Sequence, residues 1–387
     1  MPVEDRDHFE SVETKIGINA HLLSPESGYR RAGIHQYIAQ VLNHLPLLND
    51  STNYTVFTRS ANAVEPRRGM RIVPSSWPTE RRTIRILWEQ SAWPVLAAKE
   101  NIDLLHSMAF VTPVIGQIPT IVTVYDLSFV HFPENFPALQ RFYLHSQTAR
   151  SIKQARRVIT ISEASRQDLH HIFAVPLEKI SVVLPGVGAH FLPLSEEQVA
   201  VFQEKHGLSR KFILHVGTLQ PRKNILTLLK ALARLKGQTV DLVLAGAKGW
   251  QYDEIFNQVK SLGLENRVHF TGYVPDEELP FWYNAATALV FPSVYEGFGM
   301  PVVEAMACGT PVIAARSPSL PEAGGEAALY FDPQDAETLA QQLADILNDE
   351  ILADRMRQSG FKQARKFSWK RAGIETSQVY ARTLADR

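Results

Sequence analysis

Two glutamates eight positions apart, Glu296 and Glu304, bracket a loop and the first turn of a helix in VFPSVYEGFGMPVVEAMACGTPVI, residues 290–313. A buried strand is expected to end at Phe291, and Pro301 stands where the first helical position should fall. Proline suits that place because its φ is already helical and its missing N–H would have gone unpaired there. Gly297 and Gly299 let the backbone come close to a ligand. The amides from Phe298 through Met300 to Val302 then lie at a helix N-terminus, a natural site for an anion such as a diphosphate. Each glutamate also has an ordinary structural reading. Glu304 in a first turn is favoured by the helix dipole with no ligand at all, and Glu296 alone reads as a solvated loop carboxylate. The paired glutamates, two glycines and helix-opening proline together tip the balance toward chemistry.

A second constellation is HVGTLQPRKN, residues 215–224. A strand runs into a Gly-Thr loop containing Thr218, and a helix follows with Leu226, Leu229, Leu232 and Leu235 at apolar positions. Arg222 and Lys223 thus fall at or near a helix N-terminus, where each cation opposes the dipole by about 0.3–1 kcal/mol. A bound diphosphate compensates that cost, with Arg holding oxygens bidentately and Lys acting as a point charge. The alternative is a pair of solvated surface charges.

Weaker signals come from the first half of the chain. Gly28-Tyr-Arg-Arg-Ala-Gly33 follows the first strand in the position of a nucleotide-binding turn but lacks a full G-x-G-x-x-G. Asp126 ends a buried-looking strand at the edge where a cleft should lie; a lone Asp there is more often a cap. His106 closes another strand and reads as a satisfied core histidine. The thirteen histidines show no metal-ligand spacing, so no metal site is expected. G-x-S-x-G and the phosphate-loop pattern G-x-x-x-x-G-K-[ST] are both missing, which removes the usual hydrolase and P-loop readings.

These residues need a scaffold, and the chain's rhythm supplies one. Short apolar runs alternate with segments of helical period, which predicts βα units and parallel sheets. Strands are expected at Ile16–Leu22, Tyr54–Phe57, Arg71–Val73, Leu104–His106, Thr120–Tyr125, Val158–Ile161 and Ile180–Leu184. Helical pattern fills gaps such as 83–99 and 138–154. A Pro/Gly-rich stretch, VLPGVGAHFLPLSEE at 183–197, reads as a linker. Strands resume at Phe212–Val216, Val240–Ala245, Val268–Thr271, Ala288–Phe291, Val312–Ala314 and Leu329–Phe331, followed by helix with a break near Phe367-Ser368. The reading is α/β: two doubly wound parallel-sheet domains, 1–190 and 191–366, with 367–387 as a final helix and a cleft between the carboxyl ends of the two sheets.

At 387 residues the chain exceeds what one hydrophobic core usually serves. Forty basic residues balance forty acidic ones, which gives no reason to expect nucleic acid as a partner. A single cysteine, Cys308, excludes an internal disulfide. With no apolar signal core near the start and no run of ~18 apolar residues, a cytoplasmic location is expected. Trp77, Trp88 and Trp93 lie among Arg81, Arg82 and Arg85. That mixture has two readings: a helix at the inner face of a membrane, making a peripheral contact, or, more commonly, a helix whose aromatics pack inward.

Taken in order, VYDLSFVHFPE (124–134), VITISEASRQDL (158–169), VVLPGVG (182–188), VGTLQPRKN (216–224), LVLAGAKGW (242–250), GYVPDEEL (272–279) and EGFGMPVVEAMACGTPV (296–312) resemble the retaining glycosyltransferases of family four. The resemblance covers nearly the whole chain and is most specific in the last segment. It implies the GT-B fold, with two Rossmann-like domains, and transfer of a hexose from a nucleoside diphosphate sugar. GDP-mannose is the first donor it suggests and UDP-glucose the second. The acceptor it implies is a saccharide or a lipid-linked saccharide, in polysaccharide or glycoconjugate synthesis, with no cofactor or metal.

By the same resemblance Arg222 and Lys223 neutralise the departing diphosphate, and Glu304 meets the ribose hydroxyls. Glu296 and the Phe298–Met300 backbone hold the transferred sugar, while Gly33 faces the phosphates from the opposite domain. Tyr273, Val274 and Ser293 bound the base; Thr218, Gly246, Pro301 and Val302 complete the donor-binding set with Asp126. The catalytic residues are then Arg222, Lys223 and Glu296. One departure stands out: family members often carry His-Asp where this chain has Tyr125-Asp126, so the tyrosine hydroxyl must replace the histidine or that contact is lost. Two other readings of the fold stay open, a non-catalytic nucleotide-sugar-binding subunit and a nucleotide-sugar epimerase or hydrolase.

Overall fold

The computed structural model describes residues 13–23, 33–46, 52–208, 211–235 and 237–386. Gly28 to Ala32, part of the expected nucleotide-binding turn, lie outside the described residues.

The first sheet is built from β1 (Thr14–Asn19), β2 (Thr52–Thr58), β3 (Met70–Pro74), β4 (Leu104–Ser107), β5 (Thr120–Thr123), β6 (Arg157–Thr160) and β7 (Ile180–Val182). Its order is β3-β2-β1-β4-β5-β6-β7, with all neighbours parallel. The second sheet holds β8 (Lys211–Val216), β9 (Val240–Ala245), β10 (Val268–Gly272), β11 (Ala288–Phe291), β12 (Val312–Ala315) and β13 (Leu329–Phe331). Its order is β10-β9-β8-β11-β12-β13, again parallel. The strands are short and rich in Val, Ile and Leu because helices cover both faces of each sheet. In each sheet the chain winds outward one way from its first strand, then jumps back and winds the other way. The jump leaves a crevice at the carboxyl ends of β1 and β4 and another at those of β8 and β11, the places where such sheets bind ligands.

The second sheet has one continuous core running from Phe212 and Leu214 through Val290 and Phe291 to Leu339 and Leu343. The first sheet's main core includes Ile16, Ile18, Tyr37 and Val41, and the last helix (Trp369–Ala385) completes it with Trp369, Ala372, Val379 and Tyr380. His106 fixes that helix: one ring nitrogen lies 2.7 Å from the Tyr380 hydroxyl and the other 2.8 Å from Thr123 Oγ1. Burial pushes its pKa down to about 3, so it is a neutral, satisfied core histidine.

Two helical expectations change. The segment 83–99 is two helices, Arg82–Gln90 and Ala92–Lys99, parted at Ser91. Pro94 is the reason, since it has no N–H for the Gln90 carbonyl. The tail breaks a second time at Asp349, whose side chain accepts from the Leu352 amide and starts a new helix. Trp88 and Trp93 face inward, 1% and 0% exposed, stacked on each other beside Phe57. Of the three tryptophans only Trp77 reaches solvent. Among the described residues no helix is long and apolar enough to cross a membrane.

Candidate functional site

The loop after β8 and the loop after β11 meet at the second sheet's crevice. Pro221–Lys223 form one tight turn, Asn224 takes a left-handed conformation (φ 53°), and the helix Ile225–Arg234 begins behind it. Asn224 Nδ2 donates to the Pro292 carbonyl at 3.1 Å and the Arg222 carbonyl accepts from the Val294 amide at 3.0 Å, tying the loops together. The result is a buried charge cluster. The Glu296 carboxylate takes Arg222 Nη1 at 2.9 Å on one oxygen and Lys223 Nζ at 2.6 Å on the other. All three side chains are nearly enclosed, at 15%, 10% and 12% exposure for Arg222, Lys223 and Glu296. They are not solvated surface charges.

Burial alone would raise the Glu296 carboxyl, but the two cations and their hydrogen bonds outweigh it and hold the pKa down to about 2. Lys223 moves down because burial penalises its charge more than Glu296 repays it. By formal charge the two cations exceed the one carboxylate by a single positive charge, and Lys223 Nζ lies 5.0 Å from the centre of the Phe291 ring. Beneath it lies His215, kept neutral by burial and by Lys223, with its pKa pushed down to about 4. Its Nδ1 meets the Val290 carbonyl at 3.2 Å, and its Nε2 has no partner.

Eight residues beyond Glu296, Glu304 meets different surroundings. It lies inside the helix Met300–Cys308, 4% exposed, where the Tyr283 hydroxyl donates to it at 2.9 Å. Burial and the negative charge of Asp276 push its pKa up to about 8. The helix opens at Met300, with Gly299 as its cap (φ 104°) and Pro301 second rather than first. Pro301 offers no N–H and the Val302 amide is bonded to the Gly299 carbonyl at 3.0 Å. The anion-facing donors of the expected series therefore reduce to those of Phe298, Gly299 and Met300. The Phe298 ring itself packs away into the core against Phe367.

Other expected residues fall around this cluster. Thr218 and Gly246 bring the loops after β8 and β9 into contact: a Cβ on Gly246 would lie 2.0 Å from the Gly217 carbonyl oxygen, so only glycine fits. Ser293 is fully buried and its Oγ has no partner. Tyr273 is exposed and Val274 half-buried; with Phe212, Val243 and Trp282 they line a cavity of about 300 Å³ that includes none of the charged triad. Their loop does carry Asp276, whose charge acts on Glu304. Gly33 caps the helix Ile34–His44 with φ 62°, at the carboxyl end of β1.

Asp126 makes a turn bond, not a helix cap: its Oδ1 accepts from the Ser128 amide at 2.9 Å, while the short helix Ser128–His131 has Leu127 at its cap position. Asp126 also faces the cluster from the other domain, since its charge acts on both Arg222 and Lys223. Tyr125 does not take the histidine's place through its hydroxyl. That group donates inward to the Met108 carbonyl at 2.7 Å, and its ring is wedged between Tyr37 and Phe110.

Several residues at this junction carry no signal in the sequence. Tyr295 reaches across to the first domain and Ser319 Oγ donates to the Glu296 carbonyl at 2.8 Å. Glu322, on the helix Leu320–Gly324, accepts from the Glu163 and Ala164 amides at 2.7 Å each, at the start of the first domain's helix Glu163–Phe173. A Cβ on Gly297 would lie 2.7 Å from the Tyr125 carbonyl oxygen. The carboxyl ends of the two sheets thus face each other in contact, and the charge cluster sits at their meeting. Among the described residues no group of His, Cys, Asp and Glu side chains could hold a metal ion.

Known proteins share this fold. Two facing parallel-sheet domains make this a GT-B fold: sucrose-phosphate synthase from Thermosynechococcus elongatus superposes with a TM-score of 0.75 at 22% identity, over 97% of this chain and all of that one. Residues 32–190 match the family described as Glycosyltransferase Family 4, and 197–363 match Glycosyl transferases group 1. O-antigen chain mannosyltransferase B of Escherichia coli is 33% identical over 67% of this chain and 69% of its own length. The serotype-specific mannosyltransferase WbdA of Escherichia coli is 30% identical over 60% of this chain, which spans only 29% of that longer relative. The chain belongs to the family-four, group 1 glycosyltransferases.

Proposed function

We propose that this glycosyltransferase moves a hexose, with retention of anomeric configuration, from a nucleoside diphosphate sugar to a saccharide or lipid-linked saccharide during glycoconjugate synthesis. The observation that carries the reading is the buried Arg222–Glu296–Lys223 cluster with its surplus positive charge at the second sheet's crevice. Two cations held out of water are costly unless an anion repays them, and a diphosphate fits both them and the helix start at Met300. Preorganised donors aimed at a leaving group that gains negative charge do most of the catalytic work in such a site, each worth about 3–4 kcal/mol. No metal is needed for that step on this reading. Glu296 and the adjoining amides hold the sugar, Glu304 the ribose, and the facing domain excludes water from the reacting carbon.

The relatives named as mannosyltransferases favour GDP-mannose over UDP-glucose as donor. Calorimetric titration with GDP and with UDP, without metal, tests this: preference for GDP is the expected result. Binding of neither would remove the donor-site reading and favour a chain without transferase activity. An NMR assignment of the product's anomeric carbon tests retention.

On the same proposal the first domain makes a peripheral contact with anionic lipid. Leu139 and Phe142, near the start of the helix Ala138–Gln154, are 82% and 71% exposed, and Arg141 is exposed between them. Arg82 lies over the Tyr143 ring at 5.9 Å, which brings a second exposed arginine to this end of the helix. Exposed apolar side chains beside arginines suit an anionic bilayer surface. Flotation with phosphatidylglycerol vesicles should capture the chain, and Phe142→Ser with Leu139→Ser should release it; equal capture of both would refute the contact.

A further inference from the structure

Tyr295 is the one residue of the glutamate loop whose side chain is spent on the opposite domain. Its hydroxyl donates to Asp168 Oδ2 at 2.8 Å and accepts from the Leu127 amide at 3.0 Å. Its ring lies 4.7 Å from that of His131 and 5.8 Å from that of Phe132. Asp168 is held in turn by His131 Nε2 at 2.9 Å. Every one of these partners belongs to the first domain, and together they leave Tyr295 only 5% exposed. The backbone of the same residue points the other way. Its carbonyl accepts from Arg222 Nη1, and the next side chain is Glu296, which holds both Arg222 and Lys223.

We infer that Tyr295 is a positioning residue that makes the placement of the Arg222–Glu296–Lys223 cluster conditional on contact with the first domain; this rests on the transferase reading above. With the hydroxyl seated between Leu127 and Asp168, the loop cannot slide without giving up two hydrogen bonds in a buried place, where a lost partner is expensive. With the domains parted, the loop loses its anchor and the Glu296 carboxylate its fixed approach to the two cations. Assembly of the cluster and domain closure then become one event, and the cations reach their working geometry only when the facing domain covers the sugar. Neighbouring contacts agree. Gly297 abuts the Tyr125 carbonyl, and Glu322 fastens the domains at a second point. Among the described residues Tyr295 is the one whose side chain hydrogen-bonds across to the first domain while its own carbonyl holds Arg222.

Phenylalanine is the sharp probe, because it keeps the ring and removes only the hydroxyl. In the full chain, Tyr295→Phe should speed hydrogen exchange at the Leu127 amide by about tenfold, as expected for losing one buried hydrogen bond. Turnover should fall by about tenfold while the donor KM stays within about twofold, since assembly of the cluster rather than nucleotide contact is affected. Asp168→Ala attacks the latch from the other domain and should lower turnover in the same way. The double variant should be no worse than Tyr295→Phe alone, because both remove one interaction. Unchanged exchange at Leu127 would overturn the inference, and so would unchanged turnover or losses that multiply in the double variant. A wild-type chain that transfers no sugar would defeat the transferase reading. The latch would still be decided by Leu127 exchange and by small-angle scattering, which should show an expanded Tyr295→Phe variant.

Discussion

The loop around Glu296 and the helix turn around Glu304 lie eight residues apart and bury their carboxyls almost equally, yet they drive them in opposite directions. Two cations meet Glu296 and keep it ionised, with a pKa of about 2. Among the described residues no cation pairs with Glu304; burial and Asp276 raise it to about 8. Burial sets the size of the penalty, and the partner sets its sign. One sequence motif thereby supplies a permanent anion that organises charge and, at neutral pH, a neutral acid that can both donate and accept hydrogen bonds. Separating paired carboxyls in this way is how one site performs two kinds of work.

Removing the anion should break the comparison most severely. Glu296→Ala leaves Arg222 and Lys223 buried without a counter-charge, which should cost about 3–5 kcal/mol of stability in urea unfolding at pH 7. A loss below about 1 kcal/mol would mean that water reaches the cluster and pairs the cations itself. Lys223→Ala is milder for the fold, since Arg222 still pairs with Glu296. It should nonetheless cut turnover on the order of a hundredfold if the ammonium stabilises the leaving diphosphate. Undiminished turnover at saturating donor would take Lys223 out of the mechanism.

The two carboxyls should also tilt stability in opposite senses with pH. For Glu296 the folded pKa lies below the unfolded one, so its contribution is present above about 4.5 and disappears as pH falls toward about 2. For Glu304 the folded pKa lies above the unfolded one. Its contribution is whole below about 4.5 and disappears as pH rises through about 8. Urea midpoints measured from pH 3 to pH 9 should therefore fall at both ends. Comparing wild type with Glu296→Gln assigns the acid limb: if that variant loses stability below pH 5 as steeply as wild type, the cluster is not its source.

Much of this was readable from residue types. Period and composition give the location of every strand in both sheets, because a strand covered on both faces must be apolar along its length. The ends shift by a few residues where side chains take over the backbone bonds: β1 stops at Asn19, not Leu22, where the Asn19 carboxamide oxygen accepts from the His21 amide. Arg222, Lys223 and Glu296 meet in space although 73 positions separate Lys223 from Glu296, and their charge types at strand ends pointed there. Tyr295 and Glu322 gave no such signal. A tyrosine beside a glutamate, or a glutamate after a proline, is unremarkable until a second domain presents Leu127, Asp168 and the Glu163 amide to it. Local pattern marks what a segment buries against its own sheet; contacts across a cleft depend on how two sheets face one another, which no local period encodes.

The subtlest test concerns Glu304 alone. Glutamine has the shape of a protonated glutamic acid, keeps an oxygen for the Tyr283 hydroxyl and cannot ionise. Near pH 4.5, Glu304→Gln should therefore match wild-type stability to within about 1 kcal/mol. From about pH 4.5 up to about pH 8 the two should part, because the unfolded wild type ionises there while the folded chain holds this carboxyl neutral beside Asp276, and the variant has nothing to ionise. The variant should become the more stable protein at pH 9. Nucleotide affinity extends the same logic: if the neutral acid meets the ribose, glutamine should retain most of the affinity that Glu304→Ala loses. Parallel stability curves from pH 6 to pH 9 would show that Glu304 is already ionised at pH 6. The contrast with Glu296 would then be one of partners and not of charge.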